Sequence, residues 1–281
     1  MSFTFPEFPF PPGLYDIHAH LADQRLRPVL PEILQRCEAC MQAVLVNAAQ
    51  VDEWDTVLEL AQHPKLYAAL GVHPFFSQNW QAGTLALLEE KLLHAPPPAK
   101  ILAIGEIGLD FQNGREHASA QRRALSEQLL LAQRLQLPVI LHNRKSWPDF
   151  FSLLKELHLP LLTGVCHHFN ASPEIARQAL DHGLYLSFCG PLTWPESHRL
   201  QQLACYPPLD RILAETDCPD LPPQSCRNGE SRPWMVTEVI HKIAELRGLR
   251  AADMQIQIAA NWQSLFSKQN KTCKNSLPEL S

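Results

Sequence analysis

The sequence predicts an α/β chain folded as a single-domain (β/α)8 TIM barrel, and three observations predict it. Eight short apolar runs recur along the chain with helical patterns between them. The 281 residues, 46% of them hydrophobic, suit one large core of the size that such barrels use. An open doubly wound sheet would most readily carry a glycine-rich phosphate turn after its first strand, but the segment there, LADQRLRPVL, has no glycine.

Taken in order, the chain opens with a proline-rich leader, residues 1–13, which has neither Lys nor Arg and reads as neither a signal peptide nor a transit sequence. Strands are expected at 14–18, 43–48, 67–72, 101–107, 139–142, 162–167, 184–188 and 211–216. Helical patterns lie between them, as in DEWDTVLELAQHP, TLALLEEKLLHA, SAQRRALSEQLLLAQRLQL and ESHRLQQLACYP. Cys37 and Cys40 have zinc or redox spacing, yet they fall inside the helical pattern PEILQRCEACM with no second Cys/His pair nearby, so a structural helix is expected. Ser172 and Pro173 suit an N-cap and a first helical position, and Gly183 suits the stop of the helix they open. A long polar loop occupies 219–233. The barrel is expected to span 14–267, followed by a polar tail, 268–281, without apolar periodicity and expected to fray.

Composition narrows the function. A formal net charge of -5 and a pI near 6.2 argue against a general polyanion-binding surface, so any contact with nucleic acid must be local. No apolar run approaches the roughly 20 residues of a membrane span. A soluble, cytoplasmic protein with reduced thiols and no evident obligate protein partner is the expectation.

The chemistry is concentrated at strand ends, where barrels of this type carry their active sites. His18 and His20 alternate onto one face of the first strand and can reach one ion together. With 13 histidines in the chain, chance alone supplies about 0.6 such His-x-His pairs, so the pair decides nothing by itself. The third strand ends at Gly71-Val72-His73-Pro74, the fourth offers Glu106 and Asp110, the fifth His142, the sixth His167 and His168, and the eighth Glu215 and Asp217. Singly, each could be a satisfied core histidine, a buried carboxylate or a cap. Clustered in an apolar barrel, they would be expensive to bury without a cation to pair them.

The segments DIHAHL, GVHPF, AIGEIGLDF, LPVILHNR, GVCHHF, ETDCPDL and NWQSLF, in this order over residues 14 to about 266, resemble the TatD family of metal-dependent hydrolases within the amidohydrolase-like group. The resemblance implies two divalent ions (Mg, Mn or Zn) at the barrel mouth. One would be held by His18, His20 and Asp217, the other by His142 and His167, with Glu106 bridging them. The family pattern His-x-Phe selects His167, since Phe169 follows two residues on, and strand alternation would send His168 to the other face as packing or support. Asp217 and Glu106 are the catalytic candidates, Asp217 as proton acceptor; His73 and Arg144 are assigned to substrate, and Glu215 to support of a histidine ligand. Cys218 is expected to line the site without acting. Where the family usually has a loop like RGKxNxP, this chain has RNGESRP at 227–233, a departure that bears on substrate and leaves the metal set intact.

Two divalent charges against two carboxylates leave a locally cationic site able to attract a phosphate. Such ions lower the pKa of water toward ~7 and, about 3.5–4 Å apart, stabilise both the attacking and the leaving oxygen. The expected activity is hydrolysis of phosphodiesters, foremost a 3'-5' deoxyribonuclease acting by direct in-line attack, with DNA or another phosphodiester bound at the mouth. An ester or amide hydrolase, for instance of a mischarged aminoacyl-tRNA or a small molecule, is the alternative on the same site. A non-catalytic barrel scaffold is the alternative of another class.

Overall fold

In the computed structural model, which describes residues 13–267, eight parallel strands pair in chain order. They are β1 (Leu14–Ala19), β2 (Met41–Asn47), β3 (Leu66–Leu70), β4 (Ile101–Asp110), β5 (Val139–Arg144), β6 (Gly164–Cys166), β7 (Tyr185–Phe188) and β8 (Ile212–Ala214). The connections carry the helices α1 (Leu30–Cys40), α2 (Trp54–Leu60), α3 (Thr84–Leu93), α4 (Ala118–Leu135), α5 (Trp147–Glu156), α6 (Pro173–Asp181) and α7 (His198–Ala204). After β8 come α8 (Val236–Arg247) and α9 (Ala251–Phe266). All eight expected strands form. The proposed leader and tail lie outside the described residues except for Gly13.

The strands are Val-, Ile-, Leu- and Ala-rich and buried on both faces, as parallel strands covered by helices must be. Boundaries shift where ladders stop: β3 ends before Val72, while β4 runs on to Asp110 because Gly108, Leu109 and Asp110 still pair with His142, Asn143 and Arg144. That close pairing depends on Gly108, at φ 156°, since a Cβ there would sit 1.8 Å from the His142 carbonyl oxygen. Ser172 caps α6 through the Ile175 amide, and Gly183 follows its end at φ 87°.

The ring closes just beyond β8. Asp217 N–H donates to His18 O at 2.9 Å, and His20 N–H donates to Cys218 O at 2.7 Å. Asp16, wholly buried, fastens the same seam: its Oδ1 accepts from Thr216 N (2.9 Å) and His18 N (3.2 Å), and its Oδ2 pairs with the Thr216 hydroxyl at 2.5 Å. Cys218 belongs to this seam, its thiol donating to Ser231 O. Closure therefore coincides with the rim that carries His18, His20 and Asp217.

Two buried glutamines of α4 hold the ends of neighbouring strands. Gln128 bonds the Val72 amide at 2.8 Å, next to His73, and Gln121 bonds both the Asp110 amide (2.8 Å) and its carbonyl (3.0 Å). Burying an amide side chain is favourable only when its polar atoms are matched, and here they fix loop starts. The Cys37 thiol is buried on α1, where burial pushes it up to about 12, and Cys40 is exposed at the helix end; neither joins a candidate metal cluster among the described residues. Among those residues no helix is long and apolar enough to cross a membrane.

Candidate metal centre

Glu106 is the hub of the mouth. It is 2% exposed, and its two carboxylate oxygens face different groups of imidazoles. Oε2 lies 3.4 Å from His18 Nε2 and 3.3 Å from His20 Nε2; Oε1 lies 3.0 Å from His142 Nδ1 and 2.8 Å from His167 Nε2. Asp217 Oδ1 completes the first group, 3.4 Å from His18 Nε2 and 3.5 Å from His20 Nε2. Asp217 follows β8 at φ 54°, a left-handed turn that brings its carboxylate back over β1. The His18 and His167 rings stack at 4.1 Å between centroids, so the two groups lie side by side.

The hydrogen bonds behind each ring determine what it offers to the centre. His20 Nδ1 meets only a carbonyl, Asn47 O at 3.1 Å, so it donates there and leaves the Nε2 lone pair pointing inward. His142 Nε2 donates to Asp110 Oδ2 at 2.8 Å, which turns its Nδ1 lone pair inward. His167 Nδ1 faces Glu215 Oε1 at 3.5 Å, an ion-pair contact too long to satisfy it as a hydrogen bond, while Nε2 points to Glu106. His73 is the opposite case: its Nδ1 accepts from Phe75 N–H at 3.1 Å, so the neutral ring presents Nε2–H toward Glu106 Oε1, 3.7 Å away. His20 and His142 thus present lone pairs, and His73 presents a hydrogen.

The charge states agree with a site made for cations. Burial disfavours the Glu106 carboxylate, but His167, His73, His18 and His142 overcome this and hold it well below the usual range. Burial likewise opposes charge on His20 and His167, yet Asp217 and Glu106 beside the first, and Glu106 and Glu215 beside the second, raise both well above an ordinary imidazole. For His73 burial outweighs the pull of Glu106 and, with His142, His20 and His167, pushes it down to about 3. Converging imidazole lone pairs, a shared carboxylate and a further aspartate suit Zn, Mn or Mg. His18 Nδ1 is buried with no partner, which again leaves that ring's productive contact at Nε2.

All six residues expected as metal ligands therefore meet at one place, with His73 beside them. Arg144 is at the β5 rim, exposed and without an ion pair among the described residues. Glu215 is fully buried beside His167, with Oε2 accepting from the Ser187 hydroxyl at 2.5 Å. His168 departs from the alternation argument: β6 stops at Cys166, and His168 sits past it at φ 42°. Its amide donates to Glu215 Oε1 at 2.6 Å, and its ring meets Cys189 Sγ. Sequence reasoning noted Asp110 but gave it no task, although its position four residues after Glu106 on one strand face marked it; Asp16 lies two residues before His18 on the same alternation.

The chain is similar to known proteins over most of its length. The family described as TatD related DNase matches residues 15–267. The uncharacterized metal-dependent hydrolase YabD of Bacillus subtilis strain 168 is 31% identical over 255 residues, covering 90% of this chain and 98% of its own length. The 3'-5' ssDNA/RNA exonuclease TatD of Erwinia tasmaniensis is also 31% identical, over 265 residues, covering 90% of this chain and all of its own. The crystal structure of the TatD homolog YjjV from Escherichia coli K12 superposes with a TM-score of 0.83 at 32% identity, covering 90% of this chain and 98% of that one.

Proposed function

Given that this chain belongs to the TatD family of metal-dependent hydrolases and is an enzyme acting on ester bonds, we propose that it is a two-metal phosphodiesterase that shortens single-stranded nucleic acid from the 3' end. The observation that carries the proposal is the division of Glu106, one oxygen toward His18 and His20 and the other toward His142 and His167. His18, His20 and Asp217 would hold one ion and His142 and His167 the other, with Glu106 shared. Bound there, a pair of divalent ions supplies positive charge for a phosphodiester and lowers the pKa of water toward ~7.

The protein's own groups then have distinct tasks. His73 offers Nε2–H to a phosphate oxygen, a hydrogen bond that a neutral imidazole can give without competing for the ions. Arg144 supplies a planar pair of donors at the rim for a neighbouring phosphate. Asp217, with its side chain 13% exposed, reaches both the centre and solvent, so it can accept the nucleophile's proton and pass it outward. His20, His18 and His167 hold its carboxylate below the ordinary range against the opposing effect of burial. Asp110 orients His142 through its hydrogen bond, and Glu215 supplies negative charge beside His167. A cytoplasmic location is part of the proposal.

The test is incubation of metal-stripped protein, reloaded with Mg, Mn or Zn, with an oligonucleotide labelled at its 5' end. A ladder of products shortened from the 3' end is expected. Intact DNA and RNA alongside turnover of carboxylic esters would replace this reading with an esterase acting from the same site.

A further inference from the structure

The turn after β3 exposes an aromatic ring beside the metal centre. His73 and Pro74 are buried and Phe76 packs against the core, but Phe75 between them is 57% exposed. Its amide is tied to His73 Nδ1, so the ring is carried on a fixed turn. The ring centroid lies 4.6 Å from that of His73, edge to face, and 6.3 Å from that of His142. Single exposed apolar residues are ordinary on a protein surface, and position is what separates this one. Of the other large exposed hydrophobics among the described residues, Leu87, Leu93 and Leu130 lie on α3 and α4, while Leu161 and Tyr206 precede β6 and β8 at the opposite end of the barrel.

The adjoining rim also carries positive charge. Arg144 and Lys145 at the end of β5 are exposed, and Arg144 acts electrostatically on Asp110. Arg25, Arg227 and Arg232 at the other side of the mouth are engaged by Asp23 and Asp220, Glu196, and Glu230 respectively. An exposed aromatic ring next to exposed cations is how proteins hold single-stranded nucleic acid without reading its sequence.

Resting on the nuclease reading above, we infer that Phe75 is a positioning residue whose ring stacks on the nucleobase adjoining the scissile phosphate, with the strand passing over the rim formed by β3 to β5. The substrate class is thereby narrowed to phosphodiesters that carry a planar base next to the cleaved bond, with no selection among the four bases. An apolar side chain without a flat ring would not substitute, whereas a tryptophan would.

The experiment compares Mn-loaded wild type, Phe75→Leu and Phe75→Trp on two single-stranded oligonucleotides of equal length. One is intact, and the other has abasic residues in place of its last 3' nucleotides. Stacking predicts that Phe75→Leu lowers kcat/KM on the intact strand roughly 5- to 150-fold, mainly through KM, and that Phe75→Trp restores it. Wild type and Phe75→Leu should then cleave the abasic strand at equal rates. Equal losses on both strands, or no loss on either, would overturn the inference while leaving the nuclease reading in place. Failure of the wild type to cleave either strand would overturn both.

Discussion

His18, His20 and Asp217 sit where the barrel closes on itself, whereas His142 and His167 rise from adjacent, neighbouring strands. The first group has a carboxylate at the centre, and its His20 is oriented from behind by a neutral carbonyl, Asn47 O. In the second, the dedicated carboxylates stand behind the imidazoles: Asp110 on His142 and Glu215 near His167. One half places negative charge against the proposed ion directly; the other uses it to orient the rings and make them better donors. Among the described residues only Glu106 contacts imidazoles of both halves, so loss of different carboxylates should have separable consequences.

The largest effect is expected where the halves meet. Glu106→Ala should weaken both ions and reduce activity by more than the ~100-fold that supporting partners carry. His18→Ala should next remove the first ion and activity together while the barrel stays folded by circular dichroism, since the seam bonds at His18 are made by its backbone. Retention of full activity would break the assignment of that half. Asp110→Asn should loosen the second ion roughly 10- to 100-fold and leave the first unchanged, as read by metal titration. Equal loss at both sites would show that the halves are not independently supported.

The smallest effect is in pH. In the metal-free protein His20 and His167 are raised above the unfolded value of about 6.5. Their stabilising contribution is complete below that pH and is lost as pH climbs through the folded values. Loaded protein, whose rings are already deprotonated, does not lose it. The gain in Tm on adding metal should therefore widen from pH 7 to pH 9, by a few degrees on the scale of ~2–4 °C per kcal/mol. His18 and His73, which burial holds below the ordinary value, titrate on the acid side of this window. A gain that shrinks toward pH 9 would contradict the proton count.

Much of this was legible in the sequence, because strand alternation and the order of apolar runs report which residues share a face. Those signals brought His18, His20, His73, Glu106, Asp110, His142, His167, His168, Glu215 and Asp217 to strand ends, and the resemblance to the TatD family singled out six of them as ligands. They do not report which ring nitrogen points inward, since that depends on partners supplied by other elements: Asn47 O from β2 for His20, Asp110 from β4 for His142, and the Phe75 amide for His73. His168 shows the limit of alternation, which fails once the strand ends and φ turns positive. The seam of Asp16 and Thr216 joins residues 200 apart, and the α4 glutamines lie in a pattern that reads only as helix. Tertiary hydrogen bonding of this kind leaves no period in the chain.

Metal titration of chelator-stripped wild type and Glu106→Gln, followed by calorimetry with Mn2+, tests the shared-carboxylate claim most directly. Two equivalents per chain are expected for the wild type, with both sites weakened in the variant. A single equivalent in the wild type, or a variant that loses one site and keeps the other at full affinity, would contradict it.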